Sequence, residues 1–544
     1  MSYKTALRLL FILLSIVSTG CYPPDQEESS DSSEPSGGTV VIAMKTDIDN
    51  FNPILSTLSA ASDIQGLIYL NLLRRDVHFK LHTSDYRPCL TKSWRFSEDF
   101  LELTLILRSD ITWSDGVPVT AHDVKFTFDK MTDPNIPCSN RSHFDLTEEC
   151  IVKGDYEVTF RFKEVYSNEL DDVNIITPLP SHIFGDISAE EFINHDYNQN
   201  PTVVNGHYRV KRWERQQMIE LTQNDMCSFQ KPNLDRIVFR IIPDAVSRVT
   251  NLKIGDVDIV PGLLPEQAEE IKKNHADKIQ VLSYSGMSFD YIAWLERHPI
   301  FSDREMRRAL TMSINRREIV DALLMGYGKE CISPIHPAYK EIYHKQMKPI
   351  PYDPEQAKKI FHKAGWRDSN DDGILDKEGE KFSFSMKTGL GNSRRRDALT
   401  MIQNDLKQVG IEMRQDMVEF SVMITQLKNR EYDAALSGFR MGIVNHPKVF
   451  WHSSAMVGGF NRFEYSNPKV DSLIDLGRRT LDRDKAKKIW YEFQEILYAD
   501  QPVTFMYILN NLDGVSRRVK GIETWPLGIN FNPEEWWIND PSDN

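Results

Sequence analysis

Three stretches of this 544-residue chain hold residue types that could do chemistry at close spacing. The first is "DSNDDGILD" at 368–376. Asp368, Asn370 and Asp372 fall on positions 1, 3 and 5 of a calcium-binding loop, with Gly373 at 6 and Asp376 at 9. Position 12, where such loops place a bidentate Glu, is Gly379, so the oxygen set is incomplete. Two readings stand. Asp368, Asn370, Asp372 and Asp376 form a weak structural Ca²⁺ site, or the segment is an acidic turn between a helix and a strand.

The second stretch, "TGLGNSRRR" (388–396), leads glycines into a helix N-terminus, where free backbone N–H groups attract anions. Asn392 and Arg394 are candidate anion contacts there; the alternative is a capped helix with solvated arginines. The third, "FRMGIVNHPKVFWHSS" (439–454), mixes aromatic, amide and imidazole groups in an irregular segment. Aromatic faces cover an apolar or peptide-like ligand, and a few polar groups orient it. Phe439, Arg440, Asn445, His446 and Trp451 are therefore candidate ligand-binding residues, with Phe450 assigned to the core. Catalytic signatures are missing: there is no GxSxG elbow, HExxH pair, Walker A loop or GxGxxG after a strand. The residues point to binding and not to an enzyme.

The surrounding elements explain why these stretches should meet. Asp353 followed by Pro354 opens a helix whose Ala357, Ile360, Phe361 and Ala364 form one stripe. "KFSFSMK" (381–387), a helix over 395–410, "IEMRQDM" (411–417), a helix over 421–428 and "YDAALSG" (432–438) then alternate. That β-α-β-α-β order predicts an α/β fold with a mainly parallel sheet covered by helices. Ligands bind beyond the carboxyl ends of such strands, where 388–396 and 438–447 lie. A charged helix over 303–326 is expected to turn Met306, Leu310 and Ile314 inward and its arginines to water.

The N-terminus speaks for export. Lys4 and Arg8 precede "LLFILLSIV" (9–17), long enough for a signal-peptide core and too short to span a membrane. Thr19-Gly20-Cys21 resembles the end of a bacterial lipobox, which makes Cys21 the candidate lipidation site. Residues 22–38 are Pro, Ser, Gly and acid, a coil of roughly 20–25 Å reach. The formal charge is −14; without Lys4, Arg8, Asp25, Glu27, Glu28, Asp31 and Glu34 it is −11, which disfavours a phosphate-backbone partner. Of five further cysteines, Cys138 and Cys150 bracket an acidic loop and are the expected disulfide.

Four ordered segments carry a resemblance over residues 39–530. They are "WRFSEDFLELTLILRSDITWSDGVPVTAHDVKFTF" (94–128), "NGHYRVKRWERQQMIEL" (205–221), "KPNLDRIVFRIIPDAVSRVTNLKIGDVDI" (231–259) and "FSDREMRRALTMSINRREIVDALLMGYG" (301–328). Together they resemble the family 5 extracellular solute-binding proteins, receptors for oligopeptide, dipeptide and nickel ABC importers. The resemblance implies a periplasmic-binding-protein type II-like fold, two lobes closing on a cleft plus an inserted third domain. The expected division is a lipoprotein signal peptide at 1–20 and a lipidated Cys with flexible acidic linker at 21–38. Domain I then comprises 39–76, 200–288 and 508–544, the inserted domain II 77–199, and domain III 289–507. It also implies a monomeric, lipid-anchored receptor outside the cytoplasm that passes a peptide-like solute to an ABC permease, with no cofactor beyond the candidate Ca²⁺. Alternatives on the same scaffold are a metal-complex or haem receptor and a non-transport peptide sensor or chaperone. Peptide-binding members place an Asp shortly after the strand equivalent to 432–438, to pair with the peptide ammonium. Here "GFRMGIVNHP" has no carboxylate and Gly442 lies near that position, which turns the expectation toward a blocked or modified peptide, a cell-wall fragment or another solute.

Overall fold

β-Branched and aromatic runs make the strands, and most of them join one sheet. The computed structural model describes residues 37–56, 58–75, 86–442, 446–457, 459–529 and 532–539; Cys21 and Asn445 lie outside these. Across the large sheet the strands run Glu412–Val418, Ser383–Gly389, Ala434–Arg440, Ile279–Trp294, Val503–Ser516, Ile259–Val260, Thr39–Met44, Arg236–Ile241, Met218–Gln223 and Tyr208–Glu214. A short strand, Gly328–Glu330, also pairs with Val503–Ser516.

The pairs within 383–440 are parallel, as the alternation of strand and helix requires. So are the pairs that Thr39–Met44 makes. Ile279–Trp294 and Val503–Ser516 are antiparallel to each other, and the first is antiparallel to Ala434–Arg440. The sheet is therefore mixed, not mainly parallel, because two long strands cross its whole middle.

Those two strands pair with each other along their length, with a break partway. Residues 279–285 pair with 510–516, and the ladder resumes at Phe289 opposite Ile508 after a break. Extra residues in one strand bend it and free it locally from the ladder. Gly286 sits in the break because a Cβ there would stand 2.7 Å from Asn511 Oδ1 and 3.0 Å from the Leu509 carbonyl. Immediately beyond it, the Asp290 carboxylate is buried and clamped by Arg395, through Nε at 3.0 Å and Nη2 at 2.7 Å. Arg394 adds a third bond at 3.2 Å. Gly438 faces Asp290 across the ladder, where any Cβ would collide with the clamp. The helix Ser393–Gln408 is thereby pinned to the strand Ile279–Trp294.

A separate antiparallel sheet, in the order Thr91–Phe96, Glu102–Leu107, Glu157–Phe162 and Thr147–Gly154, lies within the inserted segment. The helix Ala121–Thr132 covers it with Val124, Phe128 and Met131, and a capping box of Thr120 and Asp123 starts that helix. The expected Cys138–Cys150 disulfide does not form. Both thiols are free and buried in the apolar core, Cys150 opposite Phe160, where each serves as a small apolar side chain. Burial pushes the Cys150 thiol up to about 12.

Two further expectations are corrected. The helix over 303–326 is two helices, Arg304–Met312 and Arg316–Leu324, and two of its arginines are buried rather than solvated. Arg307 donates to the carbonyls of Asp500 and Gln501 at the end of helix Arg483–Asp500, and to those of Phe301 and Ser302. Arg316 donates to the Phe505 carbonyl at 3.0 Å. Helix ends and hinge-strand backbone supply acceptors there that water would otherwise supply. The strand placed at 432–438 runs instead to Arg440, because Phe289 and Ser288 continue the ladder opposite Phe439 and Arg440.

Burial alone would raise the Asp290 pKa, but Arg395 and then Arg394 outweigh it and hold the carboxyl below its ordinary range. Asp290→Ala, which strands both guanidiniums, is expected to cost about 3–5 kcal/mol in denaturant unfolding. Because the folded pKa is depressed, the difference between wild type and variant should be constant above about pH 4 and shrink as pH falls through the depressed value. A variant as stable as wild type at pH 7 would show that the clamp does not carry the hinge.

Candidate functional site

A cavity of about 590 Å³ opens where several parts of the chain, far apart in sequence, meet, a size ordinary for a small-molecule site. Gly66, Tyr69 and Arg74 come from the helix Ser59–Ile68 and the segment after it. His143, Asp171 and Ile175 come from the inserted segment, and Met441, Gly442, His446 and Phe450 from the chain beyond strand Ala434–Arg440. Trp525 and Glu534 close it from the C-terminal side.

The charges on its wall are paired with one another. Arg74 bonds Glu534, and Tyr86 Oη bonds Asp171. His143 Nδ1 lies 2.7 Å from Asp172 Oδ1, and His446 Nε2 lies 3.8 Å from the same oxygen. The two imidazoles meet edge to face, with centroids 4.8 Å apart. Burial pushes His446 down to about 4, so its ring is neutral near pH 7. Burial also lowers the pKa of His207 on the same wall. Gly442 contributes backbone only, and its carbonyl accepts from Tyr339 Oη at 2.6 Å.

The structure separates the residues that the sequence grouped. His446 lines the cavity. Phe439 is buried inside the strand, stacked on Tyr291 at 4.3 Å and edge-on to Phe450 at 4.5 Å. Trp451 is fully buried against Phe463 and Phe505. The roles of neighbours are thus exchanged: Phe450, expected in the core, reaches the cavity, and Trp451 does not. Arg440 is exposed and reaches the Leu527 carbonyl at 3.3 Å.

Asn392 caps the helix, accepting from the Arg395 N–H at 3.1 Å. Arg394 does meet an anion, but it is the chain's own Asp290. In the acidic loop, Asp368 accepts from the N–H groups of Asp372 and Gly373, Asp376 from Ser369, and Asp372 pairs with Lys381 at 2.6 Å. Those are the bonds of a turn joined to the hairpin 376–381. Among the described residues, the side chains whose donor atoms converge as metal ligands do are instead His143, Asp172 and His446. His143 sits inside the loop read for its cysteines, and Asp172 in the short helix Glu169–Val173, 29 residues on. No sequence spacing joins them to His446; only the fold does.

A family model for bacterial extracellular solute-binding proteins, family 5 middle, matches residues 85–461. The chain is 30% identical over 550 residues to the oligopeptide-binding protein AppA of Bacillus subtilis, covering 98% of this chain and 99% of that protein. The structure is similar to that of the Bacillus subtilis AppA in complex with a nonapeptide, with a TM-score of 0.79 and 28% identity over 93% of this chain and all (100%) of that one. It is also similar to the ABC transporter substrate-binding protein CtaP of Listeria monocytogenes, with a TM-score of 0.81 at 24% identity, covering 93% and 100% of the two chains. The fold is that of the type II periplasmic-binding proteins.

Paired substitutions test the exchange of neighbours. Trp451→Ala should cost about 3–5 kcal/mol of stability, as for a fully buried aromatic. Phe450→Ala should cost clearly less and mainly enlarge the cavity. Equal losses in chemical denaturation would place both rings in the core.

Proposed function

The chain belongs to the bacterial extracellular solute-binding proteins of family 5, and we propose that it captures a peptide or peptide-like solute in this cavity and delivers it to an ABC permease. One observation carries the reading: the cavity wall is assembled from parts of the chain far apart in sequence, among them 66–89, 143–175, 441–450 and 525–534. A solute touching all of these parts makes its full set of contacts only when they are together, so it stabilises the closed form by its differential affinity. Release follows when the permease favours the open form. No bond is made or broken in this cycle.

A peptide-like solute suits the wall. Phe450, Ile175 and Tyr69 offer apolar faces, and the Gly442 backbone leaves room beside the strand end. With no carboxylate at Gly442, Asp171 is the acid that takes a solute's ammonium group, and Arg74, already paired with Glu534, takes a carboxylate. Among the described residues no helix is long and apolar enough to cross a membrane. Attachment through diacylglycerol on Cys21 holds the receptor at the membrane surface, with residues 22–38 as the tether.

Titration calorimetry with short peptides checks the assignment. Asp171→Asn should weaken a free-amine peptide at least ten-fold and leave its N-acetylated form unchanged, as loss of a charged hydrogen bond of about 1.5–3 kcal/mol requires. Equal weakening of both removes Asp171 as the ammonium partner, and no binding of any peptide or co-purifying solute removes the reading itself. For the anchor, Cys21→Ser should move the protein from the detergent phase to the aqueous phase in phase partitioning. A wild type already in the aqueous phase would dispose of lipidation.

A further inference from the structure

We propose that His143, Asp172 and His446 form a binding site for one divalent transition-metal ion at the seam between the inserted lobe and the lobe that follows the hinge. Each residue presents one donor atom, and the three atoms lie within 4.8 Å of one another. Bond lengths of 2.0–2.2 Å to a tetrahedral ion put its donors about 3.3 Å apart. Asp172 Oδ1 stands 2.7 Å from His143 Nδ1 and 3.8 Å from His446 Nε2, on either side of that value. An ion would draw His446 toward Asp172 and part Asp172 from His143.

A second observation points the same way. His446 Nε2 is buried and makes no hydrogen bond, in an interior where nearly every such atom has a partner. An ion between the three side chains gives it one. Two imidazoles and a carboxylate select Zn²⁺, Ni²⁺ or Cu²⁺ over Ca²⁺ and Mg²⁺, which prefer all-oxygen sets.

Three protein ligands leave a coordination position open. It faces the cavity, because His143 and His446 both line it. The ion would also join parts of the chain that the hinge separates: His143 and Asp172 lie in the inserted segment, and His446 follows the strand Ala434–Arg440. Only the closed arrangement brings all three donors together, so an ion at this site stabilises closure by mass action. The site stands on these donors alone and does not depend on which solute the cavity takes.

The experiment is titration calorimetry of untagged, EDTA-treated protein with NiCl₂, ZnCl₂ and CaCl₂, alongside thermal melting of the same samples. Expected are one equivalent of Ni²⁺ or Zn²⁺, no heat with Ca²⁺, and a metal-induced rise in Tm. His446→Gln and His143→Gln should each lower the affinity at least ten-fold and abolish the rise, while melting like wild type without metal. His122→Gln, at an exposed histidine beside Asp155, should change nothing. If His143→Gln fails to fold, His446→Gln, at a half-buried position, carries the test. No stoichiometric binding, or unchanged affinity in His446→Gln, overturns the proposal. Peptide binding by the metal-free protein is measured separately: peptide binding without metal binding removes only the metal site, and metal binding without peptide binding removes only the solute reading.

Discussion

The structure depends on two strands being long enough to belong to both halves of one sheet. Among the described residues, Ile279–Trp294 and Val503–Ser516 are the longest strands of the sheet, neighbours in its middle, and their ladder is broken between Ser285 and Phe289. A continuous ladder would make the sheet a stiff plate. The break, which holds Gly286, leaves residues 279–285 paired with 510–516 and residues 289–293 with 503–508. The Asp290 clamp makes the geometry beside it definite. It ties Asp290, just past the break, to the helix Ser393–Gln408, and Gly438 lies opposite it on strand Ala434–Arg440. A buried carboxylate held by two guanidiniums is a weak way to add stability but a specific way to fix geometry, since only this arrangement satisfies all three charges.

From that clamp an aromatic series leads to the ligand. Tyr291 lies one residue beyond Asp290 and stacks on Phe439, Phe439 meets Phe450 edge-on, and Phe450 forms the cavity wall. Close-packed rings transmit displacement because they have no spare volume to absorb it. The cavity wall on this side is therefore positioned by the strand Ile279–Trp294 itself.

Much of this was legible in the sequence. Asp353-Pro354, the period-2 run at 381–387 and the alternation through 440 announce their elements because local propensity and final packing agree. The misreadings have one cause, partners distant in sequence. The strand end at Arg440 is set by Ser288, some 150 residues upstream. Arg307 and Arg316 look like a solvated face until the helix end at Asp500 and the strand carbonyl of Phe505 are folded against them. Cys138 and Cys150 suggest a bridge by their spacing, whereas the core takes each thiol separately. Of the candidate site, His446 could be named from its irregular aromatic surroundings; His143, Asp172, Arg74 and Glu534 could not, because stretches far apart in sequence deliver them.

The pairing of charges on the cavity wall bears on what such a site can accept. An unpaired carboxylate in a closed cavity costs several kcal/mol of desolvation unless a solute brings its counter-ion, which restricts the site to solutes that do. Here Arg74 and Glu534 neutralise each other, Tyr86 binds Asp171, and the two histidines flank Asp172. Closure over a neutral solute leaves each of these acids the bond it already has. Glu534 meets a full counter-charge in Arg74, whereas Asp171 bonds a neutral phenol, so the wall keeps a negative charge that a solute's ammonium group can answer. A charged end group is accepted by exchange, displacing one internal partner for an external one. Shape against Phe450, Ile175 and the Gly442 backbone sets the rest of the discrimination.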